Sequence, residues 1–265
     1  MKDIKVAIIG CGNIGLSLLQ GFRKENQIPA ASITITRRNI QELAYLEEQG
    51  LKITNDNIKA TRESNLIVIA VKPYNFNNVL EEIKDHLDPQ KHILLSVTAG
   101  ITISQIQDVV QMQIPIFRVM PNISASVGKS VSCICHSGAE ANEIESVKEI
   151  FEIIGTTMVI DEELMESATI LGACGIAYVL RFIRAMIQGG IQIGFDAKTA
   201  SAIVNQTVKG AAELLIESHE HPEYEIDKVT TPRGCTIVGL NEMEHNGFSS
   251  SLIKGIVASF EQIEE

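Results

Sequence analysis

The stretch IKVAIIGCGNIG, Ile4 to Gly15, decides the fold. A β-branched run, Ile4–Ile9, stops at Gly10, and a helical spacing of apolar residues (Ile14, Leu18, Leu19, Phe22) begins at once. The spacing of Gly10, Gly12 and Gly15 is G-x-G-x-x-G. Each glycine answers a separate demand. Gly10 permits a tight strand-to-helix turn. Gly12, lacking a Cβ, lets the backbone approach a pyrophosphate. Gly15 lets the helix lie close on the strand. The free N–H groups at the helix start, on Asn13 and Ile14, suit a negative charge. Between a strand and a helix, this spacing reads as a dinucleotide-binding turn.

The pattern spreads outward from that turn. Strands are expected at Ser32–Thr36, Leu51–Thr54, Leu66–Val71, Ile93–Val97 and Ile116–Val119, then at Val131–Cys135 and Met158–Ile160. Helices are expected between them at Gln41–Gln49, Tyr74–His86, Thr102–Val110 and Ala139–Ile154. Leu66–Val71 is apolar throughout, as a strand buried on both faces must be. The alternation argues for an α/β fold: a doubly wound, Rossmann-type parallel sheet. After about residue 160 strand signals stop. Glu162–Gly194 and Asp196–Ser218 read as long helices, the second N-capped by Asp196, followed by a polar segment at His219–Asp227. A last helix starts near Ile237 and is interrupted at Gly247-Phe248. Two domains follow: residues 1–160 for the dinucleotide, and residues 161–265 as an all-helical dimerisation and substrate domain. The second is small and its apolar faces are wide, so it is expected to bury surface against a second copy.

The chain's 265 residues carry a net charge of −11, with 45% hydrophobic residues. Nucleic acid is an unsuitable partner for so acidic a chain. The five cysteines make no C-x-x-C pair, so neither a disulfide framework nor a zinc site is readable, and no metal is expected. A reduced, cytoplasmic compartment fits. No apolar run comes near the length needed to span a membrane, and the start of the chain does not read as a signal peptide.

Chemistry is expected at the carboxyl ends of the strands. Arg37-Arg38 follows the second strand, where an Asp or Glu would select NAD. Two guanidiniums suit a 2′-phosphate, which favours NADP(H), with NAD(H) possible. Asn55 follows the third strand. Ala70-Val71-Lys72-Pro73 closes the fourth, where Lys72 either meets cofactor or is a surface lysine before a turn. Thr98-Ala99-Gly100 and Met120-Pro121-Asn122 hold the matching places on later strands and border the nicotinamide.

These segments, in this order, resemble the pyrroline-5-carboxylate reductase family. The resemblance rests on Gly10–Gly15, Ala70–Pro73, Arg118–Asn122, Thr231-Pro232-Arg233-Gly234-Cys235-Thr236-Ile237 and Gly247-Phe248, and it covers essentially the whole chain. It implies NADPH-dependent reduction of the cyclic imine Δ1-pyrroline-5-carboxylate to proline, an imino acid substrate, and a homodimer or higher homo-oligomer. Thr236 matches the threonine whose hydroxyl orients the imine nitrogen. Thr231, Arg233, Gly234 and Cys235 complete the implied substrate turn, with Thr231 a second catalytic candidate. That turn must reach the nicotinamide from the same chain or its mate. The alternative for Thr236 is an ordinary helix cap. The chain departs from the family pattern at Arg233, where a glycine is usual, at Gly172-Ala173-Cys174-Gly175-Ile176, where serines and a proline are usual, and at Ile123-Ser124. Another cyclic imine is therefore an alternative substrate. A β-hydroxyacid dehydrogenase is a second alternative, although Gly172–Phe182 lacks the lysine that chemistry needs. A non-catalytic NADP-binding protein is a third.

Overall fold

The structure is a computed structural model that describes residues 4–264. Eight strands form one sheet: β1 (Val6–Ile9), β2 (Ile33–Thr36), β3 (Lys52–Thr54), β4 (Leu66–Ile69), β5 (Ile93–Ser96), β6 (Ile116–Met120), β7 (Ser130–Ser137) and β8 (Gly155–Val159). Their order is β3-β2-β1-β4-β5-β6-β7-β8. The first six run parallel, with Val6 level with Ile33 on one side and Leu66 on the other. One departure from the expected parallel sheet is β7, which runs antiparallel to β6, with Met120 opposite Cys133. Only Pro121–Lys129 joins them, too short for the dozen or so residues of a parallel crossover.

Helices α1 (Asn13–Arg23) and α5 (Ala141–Glu152) cover one face of this sheet, where Phe22 and Phe151 meet edge to face at 5.8 Å. On the other face lie α2 (Asn57–Arg62), α3 (Pro73–Ile83) and α4 (Ile103–Val110), burying Ala60, Phe76, Leu80, Ile83 and Ile106. β1 and β4 are buried along their whole length between these layers, as their unbroken apolar runs require. The segment expected as a helix over Gln41–Gln49 is 3₁₀ in form, Ile40–Gln49. The short α2 falls in a stretch where no helix was expected.

The long helical region after the sheet is segmented. A 3₁₀ turn at Glu162–Leu164 leads to α6 (Met165–Ala168), then to a π-helical stretch at Thr169–Cys174, then to α7 (Gly175–Gln192). The π stretch alters the carbonyl ladder, and the side-chain amide of Asn122 donates to the Gly172 carbonyl at 2.9 Å. Buried Arg118 on β6 reaches Glu162 at 2.9 Å and Glu166 at 2.7 Å. The Glu162 carboxylate also accepts from the Ile103 N–H at 2.7 Å. These bonds hold residues 162–174 to the sheet, and the chain's first compact unit accordingly extends to Cys174.

The second unit, Gly175–Gln262, is helical: α7, α8 (Ala197–Ser218), α9 (Pro222–Val229), α10 (Cys235–His245) and most of α11 (Phe248–Glu264). Asp196 caps α8 as expected, accepting from the Lys198 and Thr199 N–H groups. α9 forms within the segment expected to be merely polar, with Pro222 in its first turn. Tyr178 donates to Ser259 at 2.7 Å, tying α7 to α11. Much apolar surface stays open: Val179, Leu180, Ile203, Leu214, Ile216 and Val238 are all exposed. The reading that no apolar stretch approaches membrane-spanning length needs correction. Glu162–Gln192 passes that test by length and composition, because an 18-residue window inside it has a mean hydropathy of 1.7.

Candidate active site

The dinucleotide loop is anchored before it is usable. The N–H groups of Gly10 and Cys11 both donate to the Thr36 carbonyl, at 3.2 and 2.9 Å, which pins the loop to the end of β2. The Thr36 hydroxyl in turn donates to Asn57 at 2.6 Å, and the Asn57 amide donates to Glu82 at 2.8 Å. This relay had no signal in the sequence, since it depends on the first residue of α2 lying under β2. Gly10 sits at φ +92°, and a Cβ there would lie 2.4 Å from Val71 Cγ1 and 2.9 Å from the Ala70 carbonyl. Only glycine fits. A Cβ on Gly15 would press the Gly10 carbonyl at 2.8 Å.

Gly12 is different. Its φ of −89° suits any residue, and a Cβ would meet nothing within 4 Å. The demand for glycine there comes from outside the protein's own atoms. Gly12 is also the N-cap of α1, and no side chain caps that end. The N–H groups of Asn13 and Ile14 therefore face open space with the positive end of the helix dipole behind them. An open cradle with uncapped donors is what a pyrophosphate requires, so these residues fit a dinucleotide.

The remaining strand ends line up along the same edge of the sheet. Arg37 is paired with Glu42. Arg38 is exposed and, among the described residues, has neither an ion pair nor a hydrogen bond. Of the two arginines, Arg38 has the unoccupied guanidinium, and Asn55 is exposed on the neighbouring strand end. Ala70 is buried and bonds Ile9 at 2.7 Å, and Val71 lies against Gly10. Lys72 and Pro73 are exposed at the start of α3, with Lys72 as its N-cap residue. The Thr98 hydroxyl donates to the Val71 carbonyl at 3.0 Å and so ties the ends of β4 and β5 together. Ala99 is half-buried, and Gly100 is exposed at φ +73°. Met120, Pro121 and Asn122 are buried at the end of β6. Asn122 spends its side chain on the fold: besides holding Gly172, its carbonyl accepts from the Ser124 N–H at 3.0 Å. Exposed Ile123 follows it.

Cys11, inside the glycine loop, is no nucleophile. Burial pushes its thiol up to about 11, against the lowering effect of Arg37's charge. Burial likewise pushes Cys135 up to about 11.

The second unit holds Thr231–Thr236. The Gly234 N–H donates to the Thr231 carbonyl at 2.9 Å, closing a four-residue turn with Pro232 and Arg233 at its centre. Arg233 has φ +62°, the left-handed region. Proline then a positive φ is the type II pattern, which asks for glycine at the position Arg233 holds. Asn26, Gln111 and His219 also have positive φ, but the last two close helices, whereas Arg233 precedes one. The N-cap of α10 is Gly234, with no side-chain cap. Thr236 lies two positions into the helix, half-buried, and its hydroxyl makes no hydrogen bond among the described residues. Helix capping therefore does not account for Thr236. Thr231, Arg233 and Cys235 are exposed around it.

Comparison with known proteins gives a family match in each half of the chain. A family model described as NADP oxidoreductase, coenzyme F420-dependent, matches residues 5–100, and one described as pyrroline-5-carboxylate reductase dimerisation matches residues 162–265. Pyrroline-5-carboxylate reductase 2 of Dictyostelium discoideum is 41% identical over 273 residues, which cover 97% of this chain and 91% of that protein. Pyrroline-5-carboxylate reductase 1 of the same organism is also 41% identical, and this chain spans about half (49%) of its length. The enzyme of Methanosarcina acetivorans is 32% identical across 100% of this chain and 98% of its own. Among solved structures, the Plasmodium falciparum pyrroline carboxylate reductase with NADP bound superposes with a TM-score of 0.91 at 28% identity, covering 99% of this chain and 98% of that one.

Proposed function

Since this chain belongs to the pyrroline-5-carboxylate reductase family, we propose that it reduces Δ1-pyrroline-5-carboxylate to proline with NADPH. Asn13 and Ile14 hold the pyrophosphate through backbone N–H groups over Gly12, whose own N–H is donated to the Gly10 carbonyl at 2.9 Å, and Arg38 holds the 2′-phosphate, with Arg37 beside it. Lys72, Ala99, Gly100 and the Met120–Asn122 step border the nicotinamide end. When bound, the cofactor supplies the hydride. The protein's own task is then to orient an imine that is basic enough to arrive protonated, so no strong side-chain acid is needed. The Thr236 hydroxyl accepts a hydrogen bond from the iminium N–H. The uncapped N–H groups at the start of α10, with Thr231, receive the substrate carboxylate, and Arg233 adds a charged donor at the rim.

The observation that carries this reading is the Thr236 hydroxyl, which makes no hydrogen bond among the described residues. The open apolar faces of the second unit support a homodimer or larger homo-oligomer, since a second copy would cover them. Cysteines that are all free thiols support a reducing, cytoplasmic setting. NADPH oxidation with pyrroline-5-carboxylate tests the activity, and kcat/KM is expected to be higher with NADPH than with NADH. NADPH binding without turnover would refute the reductase reading. Turnover restricted to another cyclic imine would transfer it to the substrate that Arg233 selects.

A further inference from the structure

The far end of the sheet carries a second concentration of charge. An open depression of about 560 Å³ is lined by Lys5, Lys52, Arg62 and Lys91, all exposed, with Glu63 as its one acidic residue among the described residues. Its volume lies within the ~300–1,000 Å³ of small-molecule sites. Lys5 immediately precedes β1, Lys52 opens β3, Arg62 closes α2, and Lys91 comes just before β5. All four therefore stand at the amino ends of the strands. The glycine loop stands at the carboxyl ends, about 13 Å away along a four-residue strand.

This clustering runs against the protein's overall charge. The chain has 22 Lys and Arg against 33 Asp and Glu, yet among the described residues four cations line this depression beside one carboxylate. Local structure explains only part of it. Lys91 donates to the Arg62 carbonyl and so satisfies the end of α2. One arm of Arg62 meets His86 Nδ1 at 3.1 Å, which leaves its other donors available. Lys5 and Lys52 arrive from strands two places apart in the sheet, and neither ammonium has a hydrogen bond or ion pair among the described residues. Uncompensated like charges around a depression repel one another. A bound anion removes that cost, and lysine point charges with a guanidinium fork suit phosphate oxygens.

We propose that this depression is an anion site for a phosphorylated small molecule, separate from the dinucleotide site. Inorganic pyrophosphate is the probe, titrated by calorimetry into the full chain saturated with NADPH, so that the dinucleotide site is closed to it. Saturable binding and a rise in Tm are expected. The double variant Lys5→Gln/Lys52→Gln should bind about tenfold more weakly, since each exposed charge contributes modestly. Its NADPH oxidation without pyrophosphate should match wild type. Glu63→Gln removes the single carboxylate and should bind more tightly, which guards against a trivial loss through misfolding. No binding to the NADPH-saturated protein would overturn the proposal. So would unchanged affinity in the double variant, or binding in Glu63→Gln no tighter than wild type.

Discussion

Replacing Gly12 with alanine separates ligand recognition from folding. At φ −89° an alanine is unstrained, and its Cβ meets no protein atom within 4 Å. Alanine is a poorer N-cap than glycine by roughly 0.5–1 kcal/mol. The loss of glycine's unfolded-state freedom returns about 0.4–1 kcal/mol. The two terms nearly cancel, so Tm should stay within about 3 °C of wild type. The cofactor is affected differently. The methyl group projects into the space over the uncapped end of α1 and pushes a pyrophosphate off donors worth ~1.5–3 kcal/mol each when the acceptor is charged. Loss of one such bond weakens NADPH binding by roughly 10- to 150-fold. The chain has no tryptophan, so the titration should follow the cofactor's own fluorescence or heat. Gly10→Ala is the contrast. Its Cβ would lie 2.9 Å from the Ala70 carbonyl oxygen, a backbone atom that cannot swing away. The φ of +92° adds ~1–3 kcal/mol of strain and the crowding a further ~1–3 kcal/mol. A fall in Tm of at least 5 °C is expected. Wild-type NADPH affinity in Gly12→Ala would refute the placement of the pyrophosphate over this glycine, whatever the stability of either variant.

Thr236→Ala removes no cap, so Tm should hold while kcat/KM falls by ~10-fold or more; unchanged kinetics would remove Thr236 from the mechanism. Arg233→Gly relieves ~1–2 kcal/mol of left-handed strain, of which a looser unfolded chain cancels ~0.4–1 kcal/mol. A small rise in Tm is expected, and a fall would mean that the guanidinium has a stabilising partner. Arg118→Met strands the Glu162 and Glu166 carboxylates in a site where Arg118 is only 3% exposed, and should lower the unfolding free energy by ~3–5 kcal/mol in a denaturant titration. His92 is held below its ordinary value of 6.5, chiefly by burial and then by the charge of Lys91. The unfolded chain therefore takes up the proton first as pH falls, and stability is lost below that value. His92→Gln should flatten the fall in Tm between about pH 7 and pH 5, and an unchanged pH profile would exclude His92 as its source.

What could be read directly was what local chemistry dictates. The glycine loop was legible because its spacing, set between a β-branched run and a helical pattern, lies within a dozen consecutive residues. β1 and β4 were legible because a strand covered on both faces must be apolar throughout. Asp196 was legible as a cap because the N–H groups it satisfies lie two and three residues away. α2 was missed because six residues are too few to display a helical period, and α9 because its polar sequence resembles a loop although Pro222 marks its start.

By itself, then, the sequence determined the strand–loop–helix unit, the order of the segments that end strands, and a helical second half. Tertiary structure decided which of those residues are free to meet a ligand. Arg37 and Arg38 are adjacent and chemically alike, yet Glu42 occupies one and leaves the other open. Asn122, read as bordering the nicotinamide, has its side chain on the Gly172 carbonyl, whereas Thr236, read as orienting the imine with a helix cap as the alternative, makes no hydrogen bond among the described residues. Lys5, Lys52 and Lys91 lie far apart in the chain and meet only through the strand order. Propensity and spacing act over a few residues. Whether a polar group is satisfied depends on what the fold brings to it from elsewhere in the chain.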